Sequence, residues 1–211
     1  MSTLSNKLKL IIPSLNDEVQ QTILDLAFNF QKLDDASNTY AIQIPTSGFY
    51  KLNEKVWNSN PQTGQYVGWV NTREGRASPK WTPLYAYNVG DFVVPNVDNG
   101  HYYECIQAGR SGVNEPTFLT NEGSLIEDTK NGSTWQPSKV YNLYDVVFPT
   151  LDNNRFYVCT VAGTSGSNEP NWSLIDGGTV DDNMVVWTGY RKVIWQEKGI
   201  ACNFKPFGKI E

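Results

Sequence analysis

Shifted by 54 residues, the chain lands on itself: Trp81 to Phe118 falls on Trp135 to Trp172 with 18 of 38 positions identical. The first copy holds Trp81, Pro83, Tyr87-Asn88, Asp91, Val93, Pro95, Asp98-Asn99, Tyr103, Cys105, Ala108-Gly109, Ser111-Gly112 and Asn114-Glu115-Pro116. The second holds Trp135, Pro137, Tyr141-Asn142, Asp145, Val147, Pro149, Asp152-Asn153, Tyr157, Cys159, Ala162-Gly163, Ser165-Gly166 and Asn168-Glu169-Pro170. Two equal units of this size restrict the chain to a tandem of small modules. Each copy runs on to a Trp that reads as its close, Trp135 for the first and Trp187 for the second, so the spacing predicts abutting modules at 81–134 and 135–187.

Inside each copy the residues read as antiparallel β structure. Residues 91–94 and 145–148 are short strands, and 101–107 and 155–161 are their returns. Asp98-Asn99-Gly100 and Asp152-Asn153-Asn154 supply the turns, because Asn, Asp and Gly tolerate positive φ. A module this small has little core, which gives Trp and Tyr, each burying roughly 150–250 Å², a large structural share. Cys105 and Cys159 occupy the same place in the two copies and read as buried thiols rather than a bridge.

Before the repeat, residues 14–35 read as the one helix, with Ser14 or Asn16 as cap and Asp17 and Glu18 in its first turn. Val19, Ile23, Leu26, Phe30 and Leu33 are spaced 4, 3, 4 and 3 apart, a heptad seam about two heptads long. Such a seam suits either an amphipathic helix packed on its own domain or a short bundle of helices from several copies. The chain is therefore expected to be mainly β with one N-terminal α-helix and tandem small antiparallel β modules. Its regions are an anchoring or oligomerisation helix at 1–40, a small β region at 41–80, the two modules, and a tail at 188–211 folding back as a strand on the last module.

Composition removes several functions. A net charge of −5 without a basic run argues against nucleic acid. No run of eighteen apolar residues exists to insert in a membrane, and no small-residue cleavage site follows a long apolar stretch, so synthesis in a cytoplasm is expected. With three Cys and one His at no ligand spacing, neither a metal nor a cofactor is expected. His101 flanks a turn where the second copy has Arg155, and reads as solvent-exposed. Glu115 and Glu169 hold one position in two repeats, so they read as parts of the fold rather than a catalytic pair; Asp181-Asp182 is the other carboxylate pair. No enzyme is expected. Aromatic faces remain as the means of binding, by stacking on sugar rings: Tyr102, Tyr103, Phe118, Phe156, Tyr157 and Trp172 are the candidates. Neighbours on a strand point to opposite faces, so one of Tyr102/Tyr103 and one of Phe156/Tyr157 should be exposed or at an interface.

The ordered set Trp-x-Pro, Tyr-Asn-x-x-Asp-x-Val, Tyr-x-Cys, Ala-Gly-x-Ser-Gly-x-Asn-Glu-Pro over 81–187 resembles a module of bacteriophage tail, fibre and other virion proteins. It is distantly similar to carbohydrate-binding modules of families 5 and 12. In those families a ligand-stacking Trp precedes Glu-Pro; here Asn114 and Asn168 stand there, so the likeness carries the fold further than chitin binding. Segments 8–13, 28–34, 66–71, 79–81 and 204–208 look like parts of phage appendage proteins. The resemblance implies a non-enzymatic tail or head fibre, spike or decoration protein, located in the virion and assembled in host cytoplasm. It implies a homotrimer through the seam, attachment to other virion proteins through the N-terminal region, and contact of the modules with host-surface polysaccharide. The alternative is a carbohydrate-binding accessory module of a secreted polysaccharide-degrading system.

Overall fold

The computed structural model describes residues 3–35 and 39–211. The chain is mainly β, with a single helix near its N-terminus among the described residues and several small, mostly antiparallel sheets. It divides into two compact units, Met1–Ile44 with Lys55–Val70 and Pro206–Glu211, and Pro45–Glu54 with Asn71–Lys205.

In the first unit the helix spans Val19–Asp35, shorter than expected. Ser14 and Asp17 instead close a turn on each other: the Ser14 amide donates to Asp17 Oδ2 (2.7 Å) and the Asp17 amide to the Ser14 carbonyl (3.0 Å). The helix is fastened through polar groups to the hairpin Thr3–Leu4/Ile11–Ile12. Asn29 accepts from the Ile11 amide and donates to the Ile11 carbonyl, both at 2.7 Å, and Lys32 Nζ donates to the Lys9 carbonyl. The four-stranded sheet of this unit runs, in spatial order, Phe204–Lys209, Tyr66–Asn71, Lys55–Asn58, Thr39–Ala41.

In the second unit both modules form as β structures, but their boundaries differ from the sequence reading. The second is contiguous: Val146–Phe148, Arg155–Val161, Val185–Arg191 and Thr179–Asp182 lie side by side, with Ser133–Thr134 beyond the first. The first is split: Phe92–Val93, His101–Gln107, Ile194–Ile200 and Leu125–Glu127 make the matching order. Its missing strand comes from beyond the second module. Trp195, not Trp135, is therefore its closing Trp, and the second module is inserted into the first between Asp128 and Val193, where the Asp128 amide donates to the Val193 carbonyl (3.0 Å). The tail at 188–211 is likewise corrected. It does not end on the last module; its strands Ile194–Ile200 and Phe204–Lys209 enter two other sheets. Trp135 misleads because it begins the second copy at the distance where an uninterrupted first copy would end.

Residues identical between the copies do identical work. Trp81 and Trp195 donate their indole N–H groups to one oxygen of buried Asp128 (2.7 and 2.8 Å); Trp135 and Trp187 do the same to Asp182 (2.8 and 2.9 Å). The other oxygen takes the amide of Gly112 or Gly166. Burial pushes the Asp128 carboxyl above its ordinary value, although its three donors pull the other way. Tyr87 and Tyr141 pack edge-on to the closing Trp at 4.7 and 4.8 Å. Cys105 and Cys159 are fully buried, as expected, with the thiols pushed up to about 12 and about 11 by burial.

The region at 41–80 holds a third, degenerate copy. Phe49–Tyr50, Lys55–Asn58, Tyr66–Asn71 and Gly75–Arg76 follow one another as Ala86–Tyr87, Phe92–Val93, His101–Gln107 and Gly109–Arg110 do. The corner hydrogen bonds recur: the Lys51 amide donates to Glu54 Oε2 (2.8 Å) as Asn88 does to Asp91 Oδ2 (2.7 Å) and Asn142 to Asp145 Oδ2 (2.8 Å). The Asn71 amide donates to the Glu54 carbonyl as Cys105 does to Asp91 and Cys159 to Asp145. Tyr50 meets Phe204 edge-on at 5.0 Å, so Phe204 stands where the modules place Trp195 and Trp187. The first module thus interrupts this copy, as the second interrupts the first.

Candidate functional site

The six candidate aromatics separate by burial. Tyr103, Phe156 and Tyr157 are wholly buried and Phe118 nearly so, so none of these four offers a face to a ligand, contrary to the expectation. Tyr103 stacks on Phe118 (4.4 Å), and Tyr157 on Trp172 (4.2 Å), inside their own modules. Their hydroxyls donate to the Leu119 and Ser173 carbonyls. Phe156 does point away from Tyr157, but into a second cluster with Val146, Val158 and Tyr190 that Leu84 and Val113 of the first module complete. Of the two alternatives for that pair, interface is the outcome. Tyr102 and Trp172 stay partly accessible, and they belong to different modules. Trp172 is held by a bond from its indole to Glu169 Oε1 (2.8 Å).

Glu115 and Glu169 are fold residues: each accepts a backbone amide, from Asn96 (2.6 Å) and Thr150 (2.8 Å). Asp182 is the Trp clamp and is buried; Asp181, its neighbour, is exposed. The carboxylate pair is thus split across two environments.

His101 departs from the expectation of an exposed turn flank. Its Nδ1 lies 2.7 Å from Glu197 Oε1, and the Glu197 side chain is almost wholly buried. The Glu197 oxygens also accept the amides of Gly199 (2.7 Å) and Gly123 (3.0 Å). Burial alone would raise the Glu197 carboxyl; the bonds from His101, Gly123 and Gly199 outweigh it and hold it below its ordinary value. A groove of about 450 Å³ opens beside this pair, lined also by Thr120, Glu122 and Lys198. The pair ties the return strand to the 120–124 loop, and among the described residues no hydroxyl or thiol bonds the imidazole. Sequence reading missed it because Glu197 belongs to the strand taken for a tail.

The seam residues Val19, Ile23, Leu26, Phe30 and Leu33 are all exposed, between 42 and 78 %. The buried helix positions are Asp25 and Asn29. Among the described residues no group of three His, Cys, Asp or Glu side chains is placed to hold a metal ion, and no helix is long and apolar enough to cross a membrane.

A second accessible aromatic feature has no counterpart among the candidates. Tyr85 is 54 % exposed, with its ring edge-on to core Tyr87 at 4.8 Å. The second copy has Lys139 there, so repeat matching passes over it. Comparison with protein-family models, with curated proteins and with solved structures found no match to this chain.

Proposed function

We propose that this chain is a non-enzymatic phage virion protein, a tail or head fibre, spike or decoration, that assembles as a homotrimer through its helix. In this reading the N-terminal region attaches to other virion proteins and the β modules reach toward host-surface glycans. The observation that carries it is the inverted helix. Its apolar seam faces outward while Asn29, on its polar side, is bonded to its own chain. An exposed row of five large apolar side chains is poor design for a solitary protein, and each would contribute roughly 1.5–3 kcal/mol if buried against other copies. A short helix is marginal unless it packs, and three module sets on one stalk gain avidity without new contacts.

Two measurements test this. Light scattering should report three chains of 23.7 kDa, and replacing Ile23 and Leu26 by Asp should leave single chains with folded modules. Mass spectrometry of purified virions should find the protein in the particles. A wild-type monomer would remove the trimer, and presence in culture fluid but not in particles would favour the secreted accessory module.

A further inference from the structure

We propose that a groove between residues 76–79, at the end of the degenerate copy, and the 85–92 corner of the first module is a binding site for an uncharged pyranose of a polysaccharide. The inference rests on the glycan-contacting role above and assigns it a place. The groove has about 310 Å³ and is lined by Ser47, Arg76, Ser78, Tyr85 and Asp91, among others. That is near the lower end of the usual size of small-ligand pockets, about 300–1,000 Å³.

Two polar atoms of its lining residues are unfinished. Arg76 Nε and Ser78 Oγ are buried and have no hydrogen-bond partner, and Ser78 is only 9 % exposed. A buried polar group without a partner is uncommon and unfavourable. The Arg76 guanidinium lies 3.8 Å over the Phe92 ring, which fixes its plane, and among the described residues it forms no ion pair. The same position one module on is finished: Arg110 donates to the Leu84 carbonyl and lies 4.7 Å over Tyr190. The second module has no equivalent groove chemistry, since Lys139 replaces Tyr85 and buried Val146 replaces Phe92.

These groups match a sugar ring. Tyr85 offers a flat face held by Tyr87, on which the C–H face of a pyranose can lie. The outer nitrogens of the Arg76 guanidinium can donate to a ring hydroxyl, the Ser78 hydroxyl can donate or accept after a small side-chain turn toward the groove, and Asp91 can accept. Asp91 keeps its place because its Oδ2 already takes the Asn88 amide at 2.7 Å. One cation and one anion line the groove, so its charge is balanced and a neutral polyhydroxylated ligand fits better than an acidic one.

The test uses the full chain and a panel of glucose, galactose, mannose, rhamnose and N-acetylglucosamine oligosaccharides, read by saturation-transfer NMR and titration calorimetry. At least one should bind in the millimolar range or tighter. Tyr85→Ala, an exposed position that leaves the core intact, should weaken it about tenfold or more. Ser78→Ala should weaken it severalfold, and Trp172→Ala in the second module should not change it. No binding across the panel, or binding that survives Tyr85→Ala, overturns the site. Failure here with the protein present in virions removes the groove alone. A working groove with the protein absent from virions removes the virion reading alone.

Discussion

A fragment of residues 81–134 lacks the central strand of its own sheet. In the intact chain His101–Gln107 pairs with Ile194–Ile200 along most of its length, and Leu125–Glu127 reaches the sheet only through that strand. Removing it takes away Trp195, which is wholly buried. At roughly 150–250 Å² per Trp and about 25 cal/mol per Å², that loss alone is about 4–6 kcal/mol. It also leaves Asp128 without one of its three donors. Whole domains are stable by only about 5–15 kcal/mol, so 81–134 should be unfolded. Residues 133–191 carry both clamp indoles and every strand of their sheet, and should fold alone. Joining residue 128 to residue 193 by a short glycine linker should restore the first module, because these residues are already hydrogen-bonded neighbours. Amide proton dispersion by NMR and urea titration followed by Trp fluorescence read all three. A dispersed, cooperatively melting 81–134 would refute the split module.

Gly109→Ala should destabilise the chain by about 1–3 kcal/mol in urea titration, as overpacking does. A Cβ there would lie 2.4 Å from the Arg191 carbonyl oxygen and 2.7 Å from that of Lys192, and backbone cannot step aside as a flexible side chain can. Glu197 should support the fold at neutral pH and lose that effect in acid. Its folded carboxyl titrates below its ordinary 4.5, so the unfolded chain binds the proton first as pH falls and stability declines from about that value downward. Glu197→Gln should flatten that part of the urea midpoint against pH, while Asp128, raised by burial, works in the opposite sense. An unchanged acid slope would remove Glu197 from the account.

Local structure was legible wherever the repeat spoke. The turns at 98–100 and 152–154 form, with Gly100 and Asn154 at positive φ, and both repeated thiols are buried. Connectivity was not legible, because a repeat records which residues recur and not which strand completes which sheet. The third copy was hidden for a related reason. It keeps Tyr50, Val56 and Gly75 but has lost the Trp-x-Pro and Asn-Glu-Pro elements, and an aromatic pair with Phe204 replaces the clamp. Strand alternation identified the two faces at Phe156 and Tyr157, yet exposure did not follow, since Leu84 and Val113 cover the second face. Tyr85 escaped because internal comparison selects shared residues, and a binding residue confined to one module is by construction unshared.

The clamp explains why such modules can nest. Trp135 begins the second module and Trp187 lies in its last strand, yet both indoles meet one oxygen of Asp182. Beginning and end are therefore held within two hydrogen bonds of each other. A unit with adjacent ends can enter a surface connection of another without stretching its host, as domain insertion requires. The host site is equally suited, because Asp128 and Val193 are bonded neighbours across the break. The loop-closure entropy of a long insertion rises only slowly with its length, and a folded insert with joined ends removes most of it. The same geometry recurs one level out, where the Cys202 amide donates to the Arg76 carbonyl at the point where the first module leaves and rejoins the degenerate copy. One carboxylate and two indoles in each module thus serve the core and hold the ends of the module side by side.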